Sequence, residues 1–259
     1  MDIRIGIIGG TSGTGKWFAD FLSREGYQVE VSGRREGGDP DRLAGTSTVV
    51  IIAVPMNVTE ETILRVGPKM QEGALLMDLT SVKEMPVKAM LRAARCEVIG
   101  CHPLFGPNVD TIAGQNVVLC PGRADRWLPW WKSLLQGQGA VITEMPPREH
   151  DRLMAVVQGL NHLNTLTLGM VMDKKNMSLR DLRGLTTPLF DAKAAIMQRV
   201  LGNNPALYAD LLTQNDHLEE LVDLYEENLR ELKIMIRGRD REGLLGVLTE
   251  LKRVLAGGE

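Results

Sequence analysis

A glycine-rich turn follows the first apolar stretch of the chain and opens into a helical pattern, and no other feature restricts the fold as strongly. Its sequence is Gly6-Ile7-Ile8-Gly9-Gly10-Thr11-Ser12-Gly13-Thr14-Gly15-Lys16. A strand, a glycine-rich turn and a helix in this order are typical of a dinucleotide-binding unit, because backbone N–H groups at the positive end of the helix can hold a pyrophosphate. Ser12 stands where the usual pattern, read from Gly10 to Gly15, has its middle glycine. The residues expected to contact a nucleotide are Gly9, Gly10, Thr11, Ser12, Gly13, Thr14 and Gly15.

The first half of the chain alternates between strand-like and helix-like patterns. The apolar runs of strand length are Ile3–Ile8, Val29–Val31, Thr48–Val54, Ala74–Met77, Val98–Ile99, Val117–Leu119 and Val141–Ile142. The helical patterns between them are Lys16–Arg24, Thr59–Val66, Glu84–Ala94 and Ala124–Gln136. Alternation of this kind indicates an α/β domain with a Rossmann-like, doubly wound and mostly parallel sheet.

The pattern changes at Met145–Arg148, because every later segment has helical periodicity. We expect a dinucleotide-binding domain over residues 1–147 and an all-α substrate and dimerisation domain over residues 148–259. The stretch from His150 to Met172 is apolar on nearly all sides, which predicts a helix buried at a domain or subunit interface. Two interleaved heptad sets between Leu218 and Ile236 add further apolar surface, so a homodimer is expected.

Charge and cysteine content exclude several classes of protein. Lys and Arg number 30 against 33 Asp and Glu, a net charge of −3, so the chain offers no strongly basic face for nucleic acid. No apolar run approaches the roughly 20 residues that cross a bilayer, and the first residues enter a strand pattern without an export leader. Three cysteines without a CxxC pair favour a cytoplasmic location and predict no structural metal site.

The end of the second strand bears on which nucleotide binds. An NAD site usually places an acidic residue there to hold the ribose hydroxyls, whereas this chain reads Val31-Ser32-Gly33-Arg34-Arg35 and has no acid before Glu36. The Ser32 hydroxyl and the guanidinium groups of Arg34 and Arg35 suit a 2′-phosphate, so NADP is expected, with NAD as the alternative if both arginines are solvated. Val54 and Pro55, at the end of the third strand, are expected to complete the cofactor site.

Two segments that follow predicted strands carry a more specific resemblance. They are Asp78-Leu79-Thr80-Ser81-Val82-Lys83 and His102-Pro103-Leu104-Phe105-Gly106-Pro107. With the glycine-rich turn, they closely resemble the prephenate dehydrogenase family of tyrosine biosynthesis, in which segments of this kind stand at the same separation. The resemblance continues through Glu149-His150-Asp151, His162, Thr187-Pro188 and Asn204–Asp210, and so covers nearly the whole chain.

The resemblance implies an oxidative decarboxylation of prephenate to 4-hydroxyphenylpyruvate, with transfer of a hydride to a nicotinamide cofactor. His102 matches the catalytic histidine of the family, and imidazole suits the removal of the hydroxyl proton near neutral pH. Ser81 matches a serine that hydrogen-bonds around that histidine and the hydroxyl. Lys83 is expected close by, as a substrate-binding residue.

The resemblance also implies how the substrate carboxylates are held. Arg199 matches an arginine that binds one carboxylate, and a guanidinium group can do so through two hydrogen bonds. His162 matches a histidine of the substrate site. Some relatives carry another arginine where this chain has Asp191, which leaves the second anionic contact unassigned.

Three other functions stay open at this point. An arogenate dehydrogenase, or a relative that acts on an amino-substituted prephenate, would differ only in pocket residues that one sequence does not identify. A β-hydroxyacid or imine reductase can combine the same nucleotide domain with a helical domain, but the segments at Ser81–Lys83 and His102–Pro107 argue against it. A non-catalytic NADP-binding sensor would keep the turn without the chemistry, and the presence of His102 and Arg199 argues against that function.

Overall fold

The computed structural model describes residues 3–34, 36–182, 184–202 and 204–256. Within these residues, seven strands form one sheet in the order β2-β1-β3-β4-β5-β6-β7. The strands are β1 Arg4–Ile8, β2 Gln28–Ser32, β3 Val49–Ile52, β4 Leu75–Asp78, β5 Glu97–Pro103, β6 Asn116–Arg123 and β7 Val141–Glu144. Neighbouring strands are parallel except for β5 and β6, which are antiparallel. The expected α/β fold with a mostly parallel sheet is therefore confirmed.

Helices cover both faces of this sheet. They are α1 Gly13–Arg24, α2 Pro40–Thr46, α3 Thr59–Val66, α4 Glu84–Ala93 and α5 Trp127–Gly137. On one face, Phe18 of α1 and Trp131 of α5 are fully buried against the strands. On the other face, Ile63 of α3 and Met90 of α4 are fully buried. An entirely aliphatic and entirely buried β3 is typical of a strand covered on both sides.

The seven strands and four helices expected from the sequence in this part are present, with somewhat different bounds. Because β5 continues to Pro103, His102 lies within a strand, although a histidine before proline is usually a loop residue. The sequence patterns miss α2, which begins after Asp39, whose carboxylate accepts a hydrogen bond from the Asp41 amide at 3.2 Å. A short helix that starts at a cap carries too few apolar positions for a periodic signal.

A run of helices follows β7. It consists of α6 Pro147–Met154, a π-helical segment Ala155–Leu160, α7 Asn161–Lys174, α8 Pro188–Gly202 and α9 Pro205–Thr213. The single helix expected from His150 to Met172 is thus divided by the π-helical segment. It is also less buried within the chain than its composition suggests, since at least half of each of four apolar side chains is exposed. These side chains are Val156, Val157, Met170 and Val171.

The chain forms two compact units, Met1–Asp216 and His217–Glu259. The second unit contains α10 Leu218–Gly238 and α11 Arg241–Ala256, and the chain turns between them at Arg239, whose φ is 52°. The heptad positions noted in the sequence lie on α10. None of the described helices, α10 included, is long and apolar enough to cross a membrane.

Candidate active site

The carboxyl ends of β1, β3, β4 and β5 meet at one edge of the sheet, because these four strands are parallel. The glycine-rich turn follows β1, the Asp78–Lys83 segment follows β4, and His102 lies one residue before the end of β5. Ligands of open α/β sheets bind at this edge. The structure therefore brings the glycine-rich turn, the Asp78–Lys83 segment and His102 to the same edge of the sheet.

Two glycines let the turn pack directly against the end of β3. Gly9 has a φ of 91°, and a Cβ atom there would lie 2.3 Å from the carbonyl oxygen of Ala53. A Cβ atom on Gly15 would lie 2.3 Å from the carbonyl oxygen of Gly9, so a side chain at either position would force the turn open. The amides of Gly9 and Gly10 donate to the Ser32 carbonyl at 2.7 and 3.0 Å. Gly9 and Gly15 therefore serve a nucleotide site indirectly, by allowing the close packing that gives the turn its shape.

The donors for a phosphate lie further along, where α1 begins. Ser12 is the N-cap residue, and its side chain does not cap the amides of the first turn. The first N–H groups of a helix have no partners inside it, and the helix dipole makes this end positive. The stretch from Thr11 to Gly15 therefore suits a pyrophosphate. Val54, half-buried, and Pro55, exposed, follow β3 at the same edge of the sheet.

The end of β2 lies against the glycine-rich turn, since a Cβ atom on Gly33 would come within 2.1 Å of the Thr11 hydroxyl. Arg34 follows directly and is exposed, whereas Arg35 lies outside the described residues. Ser32 is 1% exposed, so its hydroxyl is not presented to solvent in this structure. Of the two described residues expected to contact a 2′-phosphate, Arg34 is thus exposed to solvent beside the turn, whereas Ser32 is buried.

Lys83 is placed differently from the expectation. It is fully buried, and its ammonium group donates to the Asp78 carboxylate, to the Thr80 hydroxyl at 3.4 Å and to the Cys101 carbonyl at 3.1 Å. An ammonium group has three N–H donors, so none is left for a substrate. The expectation that Lys83 binds substrate is therefore corrected. Lys83 instead links Asp78, at the end of β4, to Cys101 of β5, the residue before His102.

His102 is 3% exposed, and both of its ring nitrogens have a polar neighbour. Nδ1 lies 2.8 Å from Nε2 of His150, and Nε2 lies 3.4 Å from the side-chain nitrogen of Gln158. Burial holds the pKa of His102 well below its usual value of 6.5, and a positive charge on His150 or on Lys83 would lower it further. His102 is therefore a neutral imidazole at physiological pH, able to accept a proton.

His150 and Asp151, both on α6, extend this hydrogen-bonded group. Nδ1 of His150 lies 2.7 Å from Oδ1 of Asp151. The Asp151 carboxylate also accepts from the backbone amides of Lys83 at 2.7 Å and Glu84 at 2.8 Å. Asp151 thereby caps the N-terminus of α4 and joins the helical part of the first unit to the sheet edge.

Sequence reasoning assigned no role to His150, Asp151 or Gln158. His150 and Asp151 belong to a segment that carries the family resemblance, but the resemblance did not indicate what either residue does. Gln158 lies in the π-helical segment, and such segments are frequent at functional sites. Nothing in the local sequence distinguishes Gln158 from other polar residues of a helix.

His162 and Tyr208 form a second group in this part of the structure. Their rings meet edge-on, with centroids 4.9 Å apart and an interplanar angle of 79°. Tyr208 packs on a small apolar cluster that includes Val82, the residue after Ser81. His162 is half-buried, and burial lowers its pKa. Among the described residues, its Nδ1 is buried without a hydrogen-bond partner, and a buried polar atom left unpaired is unfavourable unless a ligand or a water pairs with it.

Ser81 and Arg199 lie in different surroundings. Ser81 is half-buried in the turn between β4 and α4, and Arg199 is exposed in the last turn of α8. Asp191, at the start of the same helix, is exposed as well. The structure thus leaves the Arg199 guanidinium accessible to an anion, without a direct hydrogen bond to His102 among the described contacts.

A glycine-rich turn at a helix N-terminus, with a buried imidazole at the same sheet edge, defines a nucleotide-binding protein of the Rossmann type. Comparison with family models identifies it further. Residues 18–144 match the nucleotide-binding domain of prephenate dehydrogenase, and residues 146–250 match the dimerization domain of prephenate dehydrogenase. The chain belongs to the prephenate dehydrogenase family.

Individual relatives agree with this assignment. The chain is 35% identical over 268 residues to a probable arogenate/prephenate dehydrogenase of Methanocaldococcus jannaschii, which covers 96% of this chain and 60% of that protein. It is 31% identical to the T-protein of Haemophilus influenzae, over 96% of this chain and 66% of that protein. The chain therefore spans less than two thirds of the length of these two curated relatives.

A solved structure shows the same fold. It is the crystal structure of prephenate dehydrogenase from A. aeolicus in complex with hydroxyphenyl propionate and NAD+. The TM-score is 0.78 at 20% identity, and the match covers 99% of this chain and 98% of that one.

Proposed function

We propose that this chain is a prephenate dehydrogenase that converts prephenate to 4-hydroxyphenylpyruvate in tyrosine biosynthesis. The observation that carries the proposal is His102, a buried neutral imidazole at the sheet edge from which the glycine-rich turn also leaves. A nicotinamide cofactor, when bound, accepts the hydride from C4 of the substrate. The turn fits the cofactor's pyrophosphate, because no side-chain cap covers the first amides of α1, and the space where a Cβ atom on Gly13 would lie is open.

The chain's own residues handle the proton. We propose that His102 accepts the proton of the 4-hydroxyl group as the hydride leaves C4. The ring carboxylate then departs as carbon dioxide while the ring becomes aromatic, and the proton returns from His102 to the ring oxygen. Ser81, in the turn after β4, and Gln158, whose amide faces Nε2 of His102, are proposed to hydrogen-bond around this hydroxyl.

The remaining anionic parts of the substrate need fixed donors. Arg199 is proposed to bind one carboxylate, because its guanidinium group is exposed and can make two hydrogen bonds to it. His162 is proposed to contact the substrate through its unpartnered Nδ1. These groups alone do not separate prephenate from arogenate, which differ in the side-chain substituent, so arogenate is the second candidate substrate.

A single assay tests this function. The formation of reduced nucleotide is followed with prephenate or arogenate, each combined with NADP or NAD, and with substrate omitted as the control. We expect prephenate-dependent reduction. If neither substrate supports reduction above the control, the chain is not a dehydrogenase of this kind, and nucleotide binding without turnover would support the NADP-binding sensor instead.

The first prediction concerns the choice of nucleotide. If Arg34 and Arg35 bind the 2′-phosphate, charge-assisted hydrogen bonds worth about 1.5–3 kcal/mol give about a 10- to 150-fold preference for NADP over NAD. The double substitution Arg34→Ala and Arg35→Ala should remove this preference. The kinetics with NAD are the internal control, because the pyrophosphate contacts of the turn are common to both nucleotides. A wild-type kcat/KM that favours NAD would show that these arginines are solvated.

The second prediction is a homodimer, in accordance with the dimerization-domain match over residues 146–250. Two parts of the chain each present apolar side chains to solvent: the segment with Val156 and Met170, 50% and 59% exposed, and the second unit with Ile234 and Leu248, 71% and 64% exposed. Apolar patches of this kind usually mark an interface. Light scattering should give twice the 28.6 kDa chain mass. An active monomer at micromolar concentration would contradict the prediction.

We further propose that residues 1–147 form the dinucleotide-binding domain and residues 148–259 the helical substrate and dimerisation domain, a division close to that of the two family models. A cytoplasmic location is proposed as well. It is supported by three buried cysteines that form no disulfide and would be preserved in a reducing compartment.

A further inference from the structure

Asp151, His150 and His102 are joined by two hydrogen bonds in series. If each imidazole carries a single proton, only one assignment of donors and acceptors is possible. A carboxylate can only accept, so Nδ1 of His150, 2.7 Å from Oδ1 of Asp151, carries a proton. Nε2 of His150 then has a lone pair and accepts from Nδ1 of His102 at 2.8 Å. A neutral imidazole carries a single proton. Nε2 of His102 therefore keeps its lone pair, on the side where Gln158 lies.

We propose that His150, oriented by Asp151, is a positioning residue that holds His102 in the tautomer whose Nε2 accepts the substrate proton. In the other tautomer, a hydrogen on Nε2 would block the base. After proton transfer, the positively charged His102 donates from Nδ1 to His150, and the Asp151 carboxylate stabilises that charge through the intervening ring. This inference rests on the proposed function, because it takes His102 as the base.

Packing and helix capping do not account for the His150 imidazole. His150 is completely buried, so an apolar side chain could fill the same space. Asp151 caps α4 through the amides of Lys83 and Glu84, and those hydrogen bonds do not involve His150. An apolar residue at position 150 would, however, remove the acceptor for the buried Nδ1 of His102. The hydrogen bond to His102 is thus the contact that requires an imidazole here.

The tautomers can be measured on the wild-type protein without substrate. The chain contains four histidines, so long-range 1H–15N correlation spectra of the labelled protein near neutral pH resolve few imidazoles. His102→Asn and His150→Gln assign two of them. We expect a protonated Nδ1 and an unprotonated Nε2 on both His102 and His150. A proton on Nε2 of His102 in the folded wild-type protein would overturn the proposal.

Two variants distinguish the role of His150 as a hydrogen-bond acceptor from its role in filling space. Glutamine at position 150 can place its side-chain oxygen near the position of the imidazole Nε2, whereas leucine fills the space without an acceptor. We expect His150→Leu to lower kcat about 10- to 100-fold with KM values within about threefold, and His150→Gln to recover most of the loss. Equal losses in both variants, or an unchanged kcat in His150→Leu, would contradict the proposal.

The two levels of inference fail in different ways. A wild-type protein without activity on prephenate or arogenate contradicts the proposed function, whatever its tautomers are. An active wild-type protein with the Nε2–H tautomer on His102 contradicts the positioning role alone. Should His150→Leu not fold, as judged by its thermal unfolding, the spectra of the wild-type protein still decide the tautomer.

Discussion

We expect His102→Asn to lower kcat by about 10²–10⁴-fold, the range typical for loss of a general base. Asparagine can keep a hydrogen bond to His150, but its amide does not take up a proton at neutral pH. The effect should fall on turnover and not on nucleotide affinity, because the glycine-rich turn holds the pyrophosphate independently of β5. The measurements are steady-state kcat with prephenate and a fluorescence titration with the nucleotide.

The two measurements on His102→Asn separate chemistry from folding. An unchanged nucleotide dissociation constant shows that the sheet edge is intact in the variant, so a loss of kcat then reports the missing base. Turnover within about threefold of the wild-type value would show that another group takes the hydroxyl proton. In that case, the depressed pKa of His102 would reflect its buried surroundings without a role in the reaction.

The second large effect is expected for Arg199→Ala. Arg199 is exposed before substrate binds, and we take its pair with the carboxylate to be shielded from solvent in the complex. Removing one member of such a pair typically costs about 2–5 kcal/mol, which corresponds to about a 30- to 5000-fold rise in KM for prephenate. The loss should appear chiefly in KM, because a carboxylate distant from C4 is bound similarly in the ground state and the transition state. The measurement is the dependence of the initial rate on prephenate at saturating nucleotide.

Arg95→Ala is a matched control for Arg199→Ala. Arg95 is exposed in the connection that leads into β5, at the amino end of the strand and so opposite the proposed site. Its substitution removes the same charge and should leave KM unchanged. An equal rise of KM in both variants would indicate a general electrostatic effect. An unchanged KM in Arg199→Ala would show that Arg199 does not bind the substrate.

The strand–turn–helix unit proposed for the nucleotide could be predicted because its determinants are local. The glycines of the turn, the helix N-terminus after it and the strand before it occupy a dozen neighbouring residues, and apolar runs mark the strands directly. The helical segment after Pro147 was predicted less well. Its apolar composition predicts a buried helix, but side chains such as Val157 are exposed in the single chain. The prediction of burial would therefore hold only in an assembly in which a partner covers this segment.

The sequence by itself determined the doubly wound sheet, the nucleotide turn and the placement of His102 at a strand end, because residue spacing and apolar periodicity encode these features over short distances. Only the tertiary structure decided what Lys83, His150 and Gln158 contact. Lys83 meets a carbonyl 18 residues away, and His150 and Gln158 meet a ring 48 and 56 residues away. Hydrogen-bond partners so far apart leave no periodic trace, since folding alone decides which buried donor faces which buried acceptor.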